Sequence, residues 1–358
     1  MKNTLRKFNI KQNKKIKIDD FINKALYEPK IGYYSNKIPF GQKGDFITSP
    51  TISNLFSEII AVWIISSWET LGKPKTFNVV ELGPGDGSLS EVLVRTFKKF
   101  PIFNNSVKIF LYEKSLFLKK IQKKKIKAGN VKWIKDFQKI NKGPIIFFGN
   151  EFFDAIPVKQ FFYKNKKLLE KCYILNKKNL EETYCKPNLK DSLNLSSFKS
   201  LQKLEFIEYP KLGLEELNKI VRKIRSSSGG ILLIDYGFIG KINESTIQIV
   251  MKNKKIHKNN LLKYLGKADI TSLVNFNLLN EFFQKKKLNV KKIVSQKFFL
   301  ERMGIIERAE ILQKKMNKTQ KKYMLDTLSR LLNKNMMGEL FKVIFAYKGH
   351  NKNFFGFE

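Results

Sequence analysis

The chain has few of the residues on which hydrolytic and metal sites are built. Its 358 residues include only two histidines, His257 and His350, and no G-x-S-x-G turn, so histidine-based hydrolysis lacks its parts. Two cysteines, Cys172 and Cys185, stand without a C-x-x-C pair or a histidine cluster. The sequence therefore predicts neither a disulfide framework nor a zinc site, and it fits a reducing compartment. No apolar run reaches the roughly 18 residues a membrane-spanning helix needs, and "EIIAVWIISSW" at 58–68 reads as a buried helix instead. The first twenty residues are basic but lack both the apolar core of a secretory signal and the arginine and serine bias of a transit peptide. The expectation is a cytoplasmic protein, or a mitochondrial-matrix one if the source is eukaryotic. Internal repeats and low-complexity linkers are missing too.

Acidic residues are also scarce: 31 Asp and Glu face 69 Lys and Arg, for a net charge of +38. Nucleic-acid binders concentrate positive charge, but here lysine is spread along the whole chain together with Asn, Ile and Phe, residues with A/T-rich codons. Clusters such as "KKIQKKKIK" at 119–127 read as solvated faces, and no specific nucleic-acid partner is expected.

What is present is a large core and a pattern. Hydrophobic residues make up 42% of the chain, with 31 phenylalanines. A short helix stopping before Pro29 and a helix from near Ser49-Pro50 precede a regular alternation: strand 77–82, helix 88–99, strand 107–113, helix 115–127, strand 144–152. Such alternation predicts crossover units and a parallel sheet. Short runs from 157 to 205 read as antiparallel strands, after which "GGILLIDYG" at 229–237 resumes the sheet, "GKADITSLVNF" reads as a loop, and "MGELFKVIFAYKG" gives a last strand. The expected fold is α/β, a Rossmann-like sheet. Its expected parts are an N-terminal helical lid segment (1–76), a first core part (77–156), an insertion of antiparallel strands and a helix (157–228), and a second core part (229–358).

Two stretches carry chemistry. In "VVELGPGDGS", Glu81 precedes Gly83, Gly85 and Gly87 at a strand-to-helix turn, where the backbone can approach a ligand and helix N–H groups are unpaired. Glu113 ends the next strand, placed to accept from two ribose hydroxyls, so the pair points to a nucleoside-containing cofactor. In "GNEFFDAIPV", Asn150, Glu151 and Asp154 gather where an apolar strand runs out, and paired carboxylates beside aromatic rings suit a cationic amine or guanidinium. Plain alternatives stand beside these readings: a glycine turn, a surface acid, and a strand end at Asp235-Tyr236.

"GDFITSP", "ELGPGDGS", "NEFFDAIPVKQF", "LLIDYG", "ADITSLVNF", "MGIIERAE" and "MGELFKV" occur in an order that resembles the MidA family across about residues 18–347. The resemblance implies a class I methyltransferase that uses S-adenosyl-L-methionine. Its mitochondrial members are complex I assembly factors similar to protein arginine methyltransferases that symmetrically dimethylate a complex I core subunit. Carried over, Glu81, Gly83, Gly85 and Gly87 would hold the cofactor, with Glu113 on the ribose and Asp136 near the adenine. Asp45 and Thr48 would close the methionine end, and Asn150, Glu151 and Asp154 would serve catalysis. The family usually has an arginine-like residue at Asp86 and an acid at Asn275. A cofactor-binding assembly factor without turnover, and a methyltransferase for another protein or a small molecule, are the alternatives. The state of assembly is left open.

Overall fold

The computed structural model describes residues 7–36, 49, 54–140, 142–176, 179–202, 204–252, 254–257, 261–349 and 353–358. Asp45 and Thr48 lie outside these residues. Strand β1 (Lys15–Lys17) leads into α1 (Ile18–Tyr27), whose Ile18, Phe21, Ile22, Ala25 and Leu26 recur at helical spacing and are buried. The helix ends at Glu28, where ψ 128 is the extended geometry a following proline enforces. After α2 (Tyr33–Asn36) comes α3 (Asn54–Thr70), buried on most of its surface through Phe56, Ile60, Trp63 and Ile64.

The core then builds as crossover units: β2 (Phe77–Leu82), α4 (Ser88–Phe97), β3 (Val107–Tyr112), α5 (Leu116–Lys125), β4 (Val131–Ile134) and β5 (Ile145–Asn150). A separate antiparallel sheet follows from β6 (Lys159–Lys164), β7 (Lys167–Asn176), β8 (Asn179–Cys185) and β9 (Phe206–Tyr209). Helix α6 (Lys211–Ser227) returns the chain to β10 (Gly229–Phe238). Then come β11 (Gln248–Met251), β12 (Asp269–Thr271), α7 (Phe276–Lys285), further helices between Gln296 and Leu340, and β13 (Phe341–Lys348).

The main sheet runs β4-β3-β2-β5-β10-β13, parallel except for β13, with Asn289–Val290 and Val294–Ser295 paired outside it. Strand order reverses between β2 and β5, which opens a crevice at their carboxyl ends, the place where ligands bind in such sheets. Both sheet faces are covered. One layer packs Trp63, Leu93, Phe97 and Phe299 against Val79 and Ile109; the other packs Leu217, Ile220, Phe276 and Phe283 against Val80 and Phe147. A third cluster joins Phe21, Leu26 and Tyr33 to Ile249 and Ile270, which roofs the crevice with the N-terminal segment.

Three features depart from the sequence reading. Cys172 and Cys185 form a disulfide. In the β7–β8 pairing Glu170 stands opposite Cys185, so Cys172, two residues along, faces the same side with Cα atoms 6.5 Å apart, inside the range a bridge spans. The supposed loop "GKADITSLVNF" contains β12, which pairs with β11 and is buried throughout. Strand β1 comes from the segment read as helical and pairs with β7 through Lys15–Ile174. Under that junction Lys159 is buried among Asp19, Glu170 and Asp191 at 3.5, 2.7 and 3.3 Å, tying the N-terminal segment to the antiparallel sheet.

Candidate active site

The glycine turn is held open by backbone geometry. Gly83, Gly85 and Gly87 have φ of 63, 56 and 83°, a region where a side chain is strained, and Gly87 is the N-cap of α4. Glu81 sits below the turn, buried, accepting from the Ser90 hydroxyl. Burial pushes its carboxyl up to about 8. A proton is thus bound in the fold that the unfolded chain releases near pH 4.5, and the stability lent by the neutral form is lost as pH rises to about 8. Glu81→Gln, neutral at every pH, is expected to flatten the fall of Tm over this window in thermal melts. An unchanged slope would place the ionisation elsewhere.

Glu113 stands at the end of β3, where its Oε1 accepts from Ser115 N at 2.7 Å and its Oε2 from Gln122 at 3.2 Å. Gln122 also donates to Gly85 O at 2.8 Å and accepts from Trp133 at 2.9 Å, so one buried amide ties the glycine turn to Glu113. Sequence reasoning missed it. The signal was the lone uncharged polar residue in "KKIQKKK", one turn after Leu118 on the buried side of α5. Asp86 caps Ser88 N at 3.0 Å and pairs with Lys125 at 2.8 Å.

Across the crevice, Glu151 follows β5 with φ 51°, a left-handed conformation unusual for a residue with a side chain and typical of functional turns. Its Oε1 accepts from Ser49 N at 3.3 Å and Asn150 at 3.1 Å. Asp235, within β10, accepts from Phe153 N at 2.7 Å and Asp154 N at 3.2 Å, fixing the turn that presents Asp154. Tyr34 of the roof donates to Asp269 at 2.7 Å. Burial raises the Glu151 carboxyl to about 8, Asp154 to about 6, and Asp235 well above the carboxylate range. Among the described residues no Lys or Arg forms an ion pair with any of these three, and the Asn150 and Asp154 Oδ1 atoms are buried without a donor. Among the described residues, then, these acids have no cationic donor.

A cleft of about 340 Å³ runs between the two halves of the site, walled by Gly83, Gly85, Glu113, Glu151, Phe152 and Tyr34, among others. Asn150 and Asp154 stand behind Glu151, and Glu81 beneath the turn, outside the wall itself. Asp136 is exposed, accepts from Gln138 N at 3.0 Å, and is not brought into the wall. Asn275, where the family resemblance implies an acid, caps α7 by accepting from Leu278 N at 3.1 Å. Ser115 joins roof and floor by donating to Tyr34 O at 2.7 Å.

A family model for S-adenosyl-L-methionine-dependent methyltransferases matches residues 59–294. The chain belongs to that family. Over 96% of its length the methyltransferase is 30% identical to a human protein named protein arginine methyltransferase NDUFAF7, mitochondrial, of which it covers 82%. It is 29% identical to the Xenopus laevis protein of the same name, covering 96% of this chain and 84% of that one. A Burkholderia thailandensis protein crystallised with S-adenosyl-homocysteine superposes with a TM-score of 0.76 at 20% identity, covering 96% of this chain and 89% of that one. That likeness speaks for the fold.

The residues present fit the cofactor. The positive-φ glycines allow close backbone approach, Glu113 offers a fixed acceptor pair for vicinal hydroxyls, and Glu151 lies on the wall of the same cleft. When bound, S-adenosyl-L-methionine supplies an electrophilic methyl group. No helix among the described residues is long and apolar enough to cross a membrane.

Proposed function

We propose that the protein methylates an arginine side chain of a protein substrate. The observation that carries this reading is the group of acids, half-buried Glu151 with buried Asp154 and Asp235, which pairs with no cation among the described residues and keeps the Asn150 and Asp154 Oδ1 atoms without a donor. A guanidinium brings five N–H donors and a charge that persists at neutral pH. Glu151, on the cleft wall, and Asp154, behind it, would hold its fork, align one nitrogen with the methyl donor, and take up the proton released as the N–C bond forms. Asn150 holds the Glu151 carboxylate by its amide, and Asp235 keeps the turn in place. The name shared by the relatives supports arginine as the target. The same reading assigns Gly83, Gly85, Gly87 and Glu113 to the cofactor. It extends, on the family resemblance, to symmetric dimethylation of a respiratory complex I core subunit, in the cytoplasm or in the mitochondrial matrix of a eukaryote.

The test is incubation with arginine-bearing protein and S-adenosyl-L-methionine, with methylarginine read by mass spectrometry across pH. Below their pKa the acids are neutral and cannot hold a cation. kcat/KM is therefore expected to rise with pH from about 6, through the Asp154 ionisation, to about 8, through that of Glu151, and to level off above. Guanidinium binding at pH 7 should also release protons, seen as a calorimetric enthalpy that changes with the buffer. A pH-independent profile, or methylation of another residue type, would overturn the reading.

A further inference from the structure

Helix α6 buries a charge. Its inner face is formed by Leu214, Leu217, Ile220, Val221 and Ile224, with Glu216 its only charged member. A carboxylate taken out of water needs partners. Glu216 has two: the Tyr112 hydroxyl donates to Oε1 at 2.6 Å, and Lys219 donates to Oε2 at 3.0 Å. These bonds fix it against the cleft, whose wall it shares with Tyr112, Leu118, Ile156 and Leu212. Each oxygen keeps a second lone pair for a donor inside the cleft.

The order of strands says which part of the cofactor arrives there. Glu151 follows β5, the glycine turn follows β2, and Glu113 follows β3, so the reacting end lies toward β5 and the ribose between β2 and β3. The base continues on the β3 side. Tyr112 is the last residue of β3, and its hydroxyl reaches Glu216. Leu118, Ile156 and Leu212 offer apolar surface for a flat ring, whereas Asp136 is exposed and turned into its own loop. Adenine carries an exocyclic amino donor, and an ionised carboxylate only accepts.

We propose that Glu216, oriented by Tyr112, accepts a hydrogen bond from the adenine amino group of the bound cofactor and so selects an adenosyl over a 6-oxopurine ligand. The test is calorimetric titration of the full chain with S-adenosylhomocysteine and S-inosylhomocysteine. A hydrogen bond to a charged group predicts an adenosyl preference of roughly 10- to 100-fold in the unaltered protein. Glu216→Gln, whose amide can donate to a 6-oxo group, should bring the two affinities to within about threefold of each other. Tyr112→Phe, which frees the carboxylate, should lower the ratio part of the way. Equal affinity of the unaltered protein for both ligands overturns the proposal without any variant. An undiminished ratio in Glu216→Gln overturns it too, including the case where both ligands weaken alike, the mark of a carboxylate that only holds its helix. The ratio is read from binding, so it stands apart from which residue is methylated.

Discussion

Glu151→Gln is expected to lower turnover roughly 10²- to 10⁴-fold while S-adenosyl-L-methionine affinity stays nearly unchanged. Glutamine keeps the size of the side chain and an oxygen to accept from Ser49 N and Asn150. It loses the negative charge and the ability to take a proton. Because position 151 already holds a side chain at φ 51°, the exchange adds no backbone strain, and the effect is chemical. Asp154→Asn should act in the same direction, since Asp154 contributes a buried acceptor without a donor of its own. Single-turnover methylation measured beside calorimetric cofactor titration separates chemistry from binding. Full turnover in either variant would remove that residue from the catalytic role.

The second large effect belongs to the cofactor side. Gly85→Val is expected to abolish S-adenosyl-L-methionine binding, a loss beyond about 100-fold. At φ 56° a β-branched residue is a steric outlier, and Gly85 forms part of the cleft wall while its carbonyl accepts from Gln122. The variant therefore disturbs both the space a ligand needs and the link to Glu113. Gly72 provides the control: its φ of 85° imposes the same kind of strain, yet a Cβ there meets nothing within 4 Å. Gly72→Val should lower Tm and leave cofactor affinity alone. Unchanged affinity in Gly85→Val would make the glycines a structural turn only.

The parallel core was legible because its signals are local. Apolar runs such as "FNVV" and "PIIFFGN" announce buried strands, and glycines between a strand and an amphipathic helix announce a ligand turn. The positions of Glu113 and Glu151 on the cleft wall were readable for the same reason, each following a strand the pattern identifies. What the sequence hid depends on long-range pairing. Asp235 and Asp269 reach the site from β10 and β12, and Glu216 from α6, each far along the chain from the turn it serves. Lys15–Lys17 falls in a basic stretch read as part of the helical N-terminal segment, and it becomes a strand because β7 offers an edge. Cys172 and Cys185 gave no motif, since their proximity is set by the β7–β8 register. Asp136 was placed by resemblance alone, and its side chain turns away from the cleft.

The pairing of β1 with β7 sets a schedule for synthesis. Lys15 leaves the ribosome about 160 residues before its partner Ile174, an interval of roughly ten to thirty seconds at ordinary elongation rates. Asp19 waits as long for Lys159, and Phe21 for Tyr173, whose ring it meets edge-on at 5.3 Å. The roof of the crevice is thus translated first and completed late. Through that interval its apolar residues stay without these native partners and are open to chaperone capture.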